Sequence, residues 1–220
     1  MAKRRPDRSE HSLKRRTTRR LSGDIILIVC EGEKSEPNYF NALRETWKIP
    51  VVQVEVMGKE CGSAPISVVD YAIQQRDQRK REAKRERALD FDQIWCVIDD
   101  DGHPTLQAAL DKAKDHDLKI ALSVPCFEFW YLLHFEYTTR PFGNFDEVRQ
   151  ALKKHVDDYD KKTGIPVETL LPLLDTALEH AKRVRAYNEG SNSLRPSTDV
   201  DKLLRCVRDV KANISRDPTT

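Results

Sequence analysis

The chain has 220 residues, of which 39% are hydrophobic and 34% charged, and its formal net charge is +2. This length allows one domain with a sizeable core plus extensions, and the apolar run at residues 25–29 excludes a wholly disordered chain. No apolar stretch approaches a membrane span, no signal-peptide core is present, and five scattered cysteines favour a reducing compartment. We therefore expect a cytoplasmic protein.

The N-terminal segment, residues 1–22, is strongly basic. Between residues 3 and 20 it carries nine Lys or Arg against two acidic residues, so the rest of the chain is net acidic. The segment has no apolar periodicity, which predicts a flexible arm. Such an arm is suited to contacts with nucleic-acid phosphates. Arms of this kind also dock to proteins or ribosomes, and both interpretations stay open.

Residues 23–136 alternate between strand-like and helix-like patterns. Buried strands are predicted at 24–30, 51–56, 93–98 and 119–124, with helices beginning at Ser35 and covering 64–88 and 104–116. The alternation predicts an α/β fold, a parallel sheet of about four strands with helices on both faces. A buried helix is expected at 127–135. Residues 137–220 are predicted to be a helical C-terminal extension packed on the same core, with helices at 145–156, 167–188 and 198–214.

Carboxylates follow two of the predicted strands. Glu31 comes directly after the first strand, and Asp99 and Asp101 follow the third. Ligands of open parallel sheets bind at the carboxyl ends of the strands, so these side chains converge if the two strands are neighbours. Clustered carboxylates repel one another unless a cation neutralises them, and Mg²⁺ or Mn²⁺ prefers such oxygen ligands. The alternative is that Asp-Asp-Asp-Gly is an ordinary acidic turn.

Three motifs resemble those of a known family. The first is Ile-Val-Cys-Glu-Gly-Glu-Lys-Ser-Glu-Pro-Asn-Tyr-Phe from residue 28, and the second is Val-Ile-Asp-Asp-Asp-Gly-His from residue 97. The third, Pro-Cys-Phe-Glu-Phe-Trp-Tyr-Leu-Leu-His-Phe from residue 125, is the most specific. Together they resemble the RloB-like family, and the Glu-Gly and Asp-x-Asp elements resemble the Toprim fold of topoisomerases, primases and OLD-family nucleases. The resemblance covers residues 24–204.

The resemblance implies a function and a set of site residues. RloB-like proteins are linked to restriction loci and phage defence, often beside an AAA-type ATPase, and are regarded as Toprim-type nuclease candidates. The family pattern assigns Glu31 as the Toprim glutamate and Asp99 and Asp101 as the metal-binding pair. Glu36 matches the second acidic position of a Glu-Gly-x-x-x-Glu variant, and Glu128 matches the acidic position of the third motif.

Further residues have both functional and structural interpretations. Glu128, between two phenylalanines, is either a ligand or general base, or a buried partner of an Arg or Lys. Lys34 could meet substrate phosphate or be a solvated lysine, and His103 could contact phosphate or simply begin a helix. Arg195 lies in a segment that could reach phosphate or serve as a helix cap. The charged stretch at 76–87 is either a solvated helix face or a docking surface.

These observations predict a metal-dependent nuclease of phage defence that cleaves DNA or RNA, with tRNA as one candidate. The alternative is a regulatory or binding subunit that depends on an AAA-type ATPase partner. A third hypothesis is phosphoryl transfer on a small nucleotide. A homo-oligomer is compatible with the sequence. Strand passage and primase activity are not expected, because the chain leaves too little length for a gate and shows no zinc-binding region.

Overall fold

The computed structural model describes residues 23–86, 89–157, 159–160 and 163–216. The predicted arm at 1–22 and the last residues of the helix predicted at 64–88 lie outside these ranges. Within them, no helix is both long enough and apolar enough to cross a membrane.

The centre of the fold is a five-stranded sheet. Its strands are β1 (Ile26–Cys30), β2 (Val54–Met57), β3 (Gln93–Asp99), β4 (Lys119–Val124) and β5 (Ser197–Thr198), arranged in the order β2-β1-β3-β4-β5. The first four are mutually parallel, whereas β5 is antiparallel to β4. The predicted parallel α/β sheet is therefore confirmed, with one additional edge strand.

Each buried strand contributes to two cores because successive side chains point to opposite faces. Ile26, Ile28 and Cys30 of β1 join the larger core, which includes side chains from the helices α1 (Ser35–Thr46) and α4 (Glu128–Phe135). Leu27 and Val29 point into a smaller core beneath α2 (Pro65–Glu86) and α3 (Leu106–Asp115). Helices thus cover both faces, which explains why the strands read as continuous apolar runs.

The C-terminal region consists of α5 (Phe145–Leu152), α6 (Val167–Leu170), α7 (Leu174–Ser191) and α8 (Val200–Arg216). Residues of α5, α7 and α8 belong to the larger core together with α4. The region is therefore continuous with the sheet domain through one hydrophobic cluster, and the domain boundary at residue 136 stays a prediction.

Four predicted elements differ from the observed ones, among them the helix predicted at 145–156, which ends at Leu152. The second strand begins at Val54 because residues 50–53 form a turn, in which Val51 and Val52 are 59% and 46% exposed. The helix predicted at 167–188 is interrupted at residues 171–173, where Pro172 lacks the amide hydrogen that a continuous helix requires. Residues 197–198 are the strand β5, so the last helix begins at Val200.

Candidate active site

The predicted convergence of the first and third strands is observed. Strands β1 and β3 are hydrogen-bonded neighbours, and the chain order reverses between them because β2 lies on the other side of β1. The amide of Glu31 continues the ladder by donating to the Val97 carbonyl at 3.0 Å. The Glu31 carboxylate then crosses to β3, where its Oε2 accepts from the Asp99 amide at 3.1 Å. Glu31 therefore connects the carboxyl ends of the two strands at the switch point, where open sheets bind ligands.

Glu36 lies in the first turn of α1, where the positive end of the helix dipole favours a carboxylate. The residue is only 6% exposed. Its carboxylate lies so close to Gly32 that a Cβ atom on that glycine would be 1.9 Å from Glu36 Oε2. The glycine of the Glu-Gly pair therefore makes room for the second acidic residue of the motif.

Asp99 ends β3 beside these carboxylates. Its Oδ1 is buried and has no hydrogen-bond partner among the described residues. Burial raises the pKa of Asp99 well above its ordinary value, and the negative charges of Glu36, Glu128 and Glu31 raise it further. The backbone amide of Phe127 lowers this pKa to a smaller extent. Burial and the neighbouring carboxylates thus both disfavour the ionised form of this carboxyl group.

Glu128 is the first residue of α4 and is 1% exposed. Its Oε1 accepts from the Tyr159 hydroxyl at 3.0 Å, whereas its Oε2 is buried without a partner among the described residues. The structural alternative, a pairing with Arg or Lys, is absent among the ion pairs between described residues. A second buried carboxylate with an unused oxygen therefore adjoins the cluster.

A cleft of about 510 Å³ opens at this edge of the sheet. Its lining includes Glu31, Glu36, Asp99, Asp101, Lys34 and Asp160. Four of the five predicted catalytic residues therefore line one cleft, and Glu128 is buried.

The carboxylate oxygens are the kind of ligand that a divalent cation prefers, but they are not arranged as a complete coordination site. Asp99 and Glu128 each have a buried oxygen with no partner in the described part of the chain. The surrounding carboxylates repel one another, and a hard cation would relieve this repulsion. Across the described ranges, however, no three His, Cys, Asp or Glu side chains are placed so that they could hold a metal ion. The Mg²⁺ or Mn²⁺ assignment stays a prediction.

Asp101, His103 and Arg195 occupy the periphery of the site. Asp101 is exposed, and its Oδ1 accepts from the His103 amide at 3.1 Å. His103 Nδ1 lies 3.2 Å from the Thr105 amide that donates to it, so this nitrogen is engaged in the turn before α3. Arg195 Nη2 lies 3.4 Å from Asp100 Oδ2, because β5 places the preceding segment beside the acidic loop. Their predicted nucleic-acid contacts stay predictions.

Tyr159 and Asp160 were not expected at the site. Tyr159 binds Glu128 across 31 residues, and Asp160 lines the cleft. Both lie in the chain between α5 and α6, where the sequence has no hydrophobic periodicity to indicate their direction. The available signal was an aromatic residue within the highly charged stretch 153–162.

The fold and the site define the class of this protein. It is an α/β protein with a doubly wound, mainly parallel sheet and an acidic cleft at the switch point of its strands. A family model described as RloB-like protein matches residues 26–206, and the chain belongs to that family. No curated protein and no solved structure matches the chain. The relation to the Toprim fold stays a prediction.

Proposed function

We propose that this RloB-like protein is a divalent-metal-dependent nuclease that cleaves phosphodiester bonds as the effector of an anti-phage defence system. The observation that carries the proposal is a pair of buried oxygens in one acidic cluster, Asp99 Oδ1 and Glu128 Oε2, neither of which has a hydrogen-bond partner among the described residues. Leaving buried polar atoms unpaired costs about 1–3 kcal/mol each. Such a cost is typical of sites that bind a ligand or perform chemistry, where local stability is exchanged for function.

In this proposal Glu31 and Asp99 hold the cation, because both reach the switch point from adjacent strands. Asp101 contributes from the exposed side of the cleft and Glu36 from its lining, while the buried Glu128 completes the site beside Asp99. A bound Mg²⁺ or Mn²⁺ would polarise the phosphodiester and activate water. The Glu36 carboxylate lines the cleft and is the candidate to accept a proton from that water.

Electrostatics supports the requirement for metal. A phosphodiester is anionic, and the cleft lining contains six carboxylate side chains against the exposed Lys34. Coulomb repulsion therefore opposes the approach of substrate until a cation offsets the carboxylates. Lys34 and the basic segment at 1–22 are the candidates for contacts with the flanking backbone. Activity should accordingly depend on both divalent metal and ionic strength.

The test incubates the purified full chain with plasmid DNA, single-stranded DNA and total tRNA in Mg²⁺, Mn²⁺ or EDTA. We expect metal-dependent cleavage of one substrate class, and loss of that cleavage in the Asp99→Ala/Asp101→Ala variant. Asp175→Ala is the matched control, because the Asp175 side chain is 87% exposed at the start of α7. Cleavage that persists in EDTA or in the double variant would contradict the proposal.

The alternative function is a subunit that stays inactive until a partner, such as an AAA-type ATPase, rearranges the site. It is favoured by one observation, that no three potential ligands among the described residues converge on a metal position. Folded protein that binds Mn²⁺ but cleaves none of the three substrates alone would support this alternative. Turnover of nucleotides in place of polymers would instead support phosphoryl transfer.

A further inference from the structure

The C-terminal region contributes a buried hydrogen bond to the acidic cluster. Tyr159 is 5% exposed, and its hydroxyl donates to Glu128 Oε1 at 3.0 Å. The other carboxylate oxygen, Oε2, has no partner among the described residues. The tyrosine therefore occupies one oxygen of Glu128 and leaves the second for another ligand.

Tyr159 and Asp160 make hydrogen-bonded contacts with described residues on each side. Its amide donates to the Val156 carbonyl at 3.2 Å, and the following residue, Asp160, pairs with Gly164 in an antiparallel bridge. Gly164 has a φ of +67°, and a Cβ atom there would lie 3.4 Å from the Tyr131 hydroxyl. The Tyr131 and Tyr159 rings also meet edge to face, with centroids 6.4 Å apart. Tyr159 thus packs against α4, the helix that carries Glu128.

Two aspects of this contact distinguish it from ordinary core packing. A tyrosine buried for packing alone commonly donates to a backbone carbonyl, as Tyr131 does to Ser35 at 3.3 Å. Tyr159 instead donates to a side-chain oxygen of the acidic cluster, across 31 residues of the chain. Because the donor is fixed by its ring contact and its turn, the orientation of the Glu128 carboxylate is fixed as well.

We propose that Tyr159 is a positioning residue, which holds the Glu128 carboxylate so that its Oε2 is presented to the cation of the acidic cleft. The inference rests on the proposed function, since it requires that the cleft bind a divalent ion. It assigns the C-terminal region a direct part in the site. Outer hydrogen-bond partners of metal ligands typically change metal affinity by about 10- to 100-fold when they are removed.

The test is a double-mutant cycle on the affinity of the full chain for Mn²⁺, measured from the EPR signal of the free ion. The four proteins are wild type, Tyr159→Phe, Glu128→Ala and the double variant. Phenylalanine retains the ring and removes only the donor. Tyr187→Phe is the matched control, because Tyr187 is an exposed tyrosine of α7. Circular dichroism and thermal unfolding establish that each variant is folded.

We expect Tyr159→Phe to weaken Mn²⁺ binding by about 10-fold, and to have no further effect when Glu128 is already alanine. Unchanged affinity in Tyr159→Phe, or an equal weakening in both backgrounds, would overturn the positioning role while leaving the metal site intact. A wild-type protein whose Mn²⁺ binding is absent, or is unaffected by Asp99→Ala, would overturn the proposed function itself. The cycle therefore distinguishes the two failures.

Discussion

Gly32→Ala places a methyl group against the carboxylate of Glu36. In the structure, the added Cβ would lie 1.9 Å from Glu36 Oε2 and 2.5 Å from both Cδ and Oε1. Side-chain contacts of Cβ atoms are essentially never below 3.0 Å, so the nearest carboxylate oxygen must move by at least about 1.1 Å. Gly32 lies outside the left-handed region, which means that the backbone itself accepts alanine. The substitution therefore displaces one catalytic candidate without straining the main chain.

The expected result is a large loss of activity with a modest loss of stability. A misplacement of about 1 Å in a catalytic constellation can reduce the rate on the order of 100-fold. Disturbing the buried contacts of Glu36 costs about 1–3 kcal/mol, and alanine recovers up to about 1 kcal/mol through the unfolded state. The assay measures the rate of cleavage of whichever substrate class the test with plasmid DNA, single-stranded DNA and tRNA identifies, together with urea unfolding. Gly190→Ala is the control, because a Cβ there meets nothing within 4 Å.

Two results would refute this reasoning. If Gly32→Ala cleaves at the wild-type rate while Glu36→Gln is inactive, the position of the Glu36 carboxylate tolerates a shift of 1.1 Å, contrary to the argument from geometry. If both variants cleave at the wild-type rate, Glu36 has no part in the reaction. Inactivity of the Gly190→Ala control would show instead that the assay reports general damage to the fold.

Three further predictions follow from the same region. The pKa of Asp99 is raised from 3.8 by burial and by neighbouring carboxylates. Protonated Asp99 therefore contributes to the stability of the folded state. This contribution is fully present below about pH 3.8 and is lost as the pH rises through the folded-state pKa. Metal-free Asp99→Asn should therefore melt above wild type at pH 8, by about 2–4 °C per kcal/mol of relieved repulsion, with a smaller difference near pH 4. Gly58→Ala should lower the unfolding free energy by about 1–3 kcal/mol in urea titration, since its Cβ would lie 2.4 Å from the Pro37 ring. Arg195→Ala should change stability by less than about 1 kcal/mol, because its ion pair with Asp100 is partly exposed. If Arg195 contacts phosphate, the salt slope of nucleic-acid binding should fall by about 1.

Each of these predictions has an outcome that contradicts it. Equal melting temperatures of wild type and Asp99→Asn from pH 4 to pH 8 would show that Asp99 does not carry the repulsion. Wild-type stability of Gly58→Ala would show that the loop after β2 adjusts without cost. An unchanged salt slope in Arg195→Ala would leave Asp100 as the sole partner of this arginine at the site.

The sequence was sufficient to locate the acidic edge of the sheet. Runs such as residues 25–30 and 93–98 are apolar throughout because both faces of their strands are covered, so the pattern identifies buried parallel strands. Residues that directly follow such strands lie at the carboxyl edge in any parallel arrangement. Glu31 and Asp99 could therefore be predicted as neighbours once β1 and β3 were assumed to be adjacent. The strand order that makes them adjacent is a property of the tertiary structure.

Other features were decided only when the chain folded. The strand β5 has two residues, which are too few to show a periodic pattern. It forms because its backbone can pair with the N–H and C=O groups along the edge of β4. Tyr159 lies between α5 and α6, where the sequence has neither helical nor strand periodicity. The direction of its side chain toward Glu128 could therefore not be predicted. Local patterns thus determined which strands are buried and where the carboxylates begin. Contacts between distant segments decided which carboxylate oxygens accept a hydrogen bond. Tyr159 and Glu128 are 31 residues apart, and no local sequence pattern encodes the packing that brings them together.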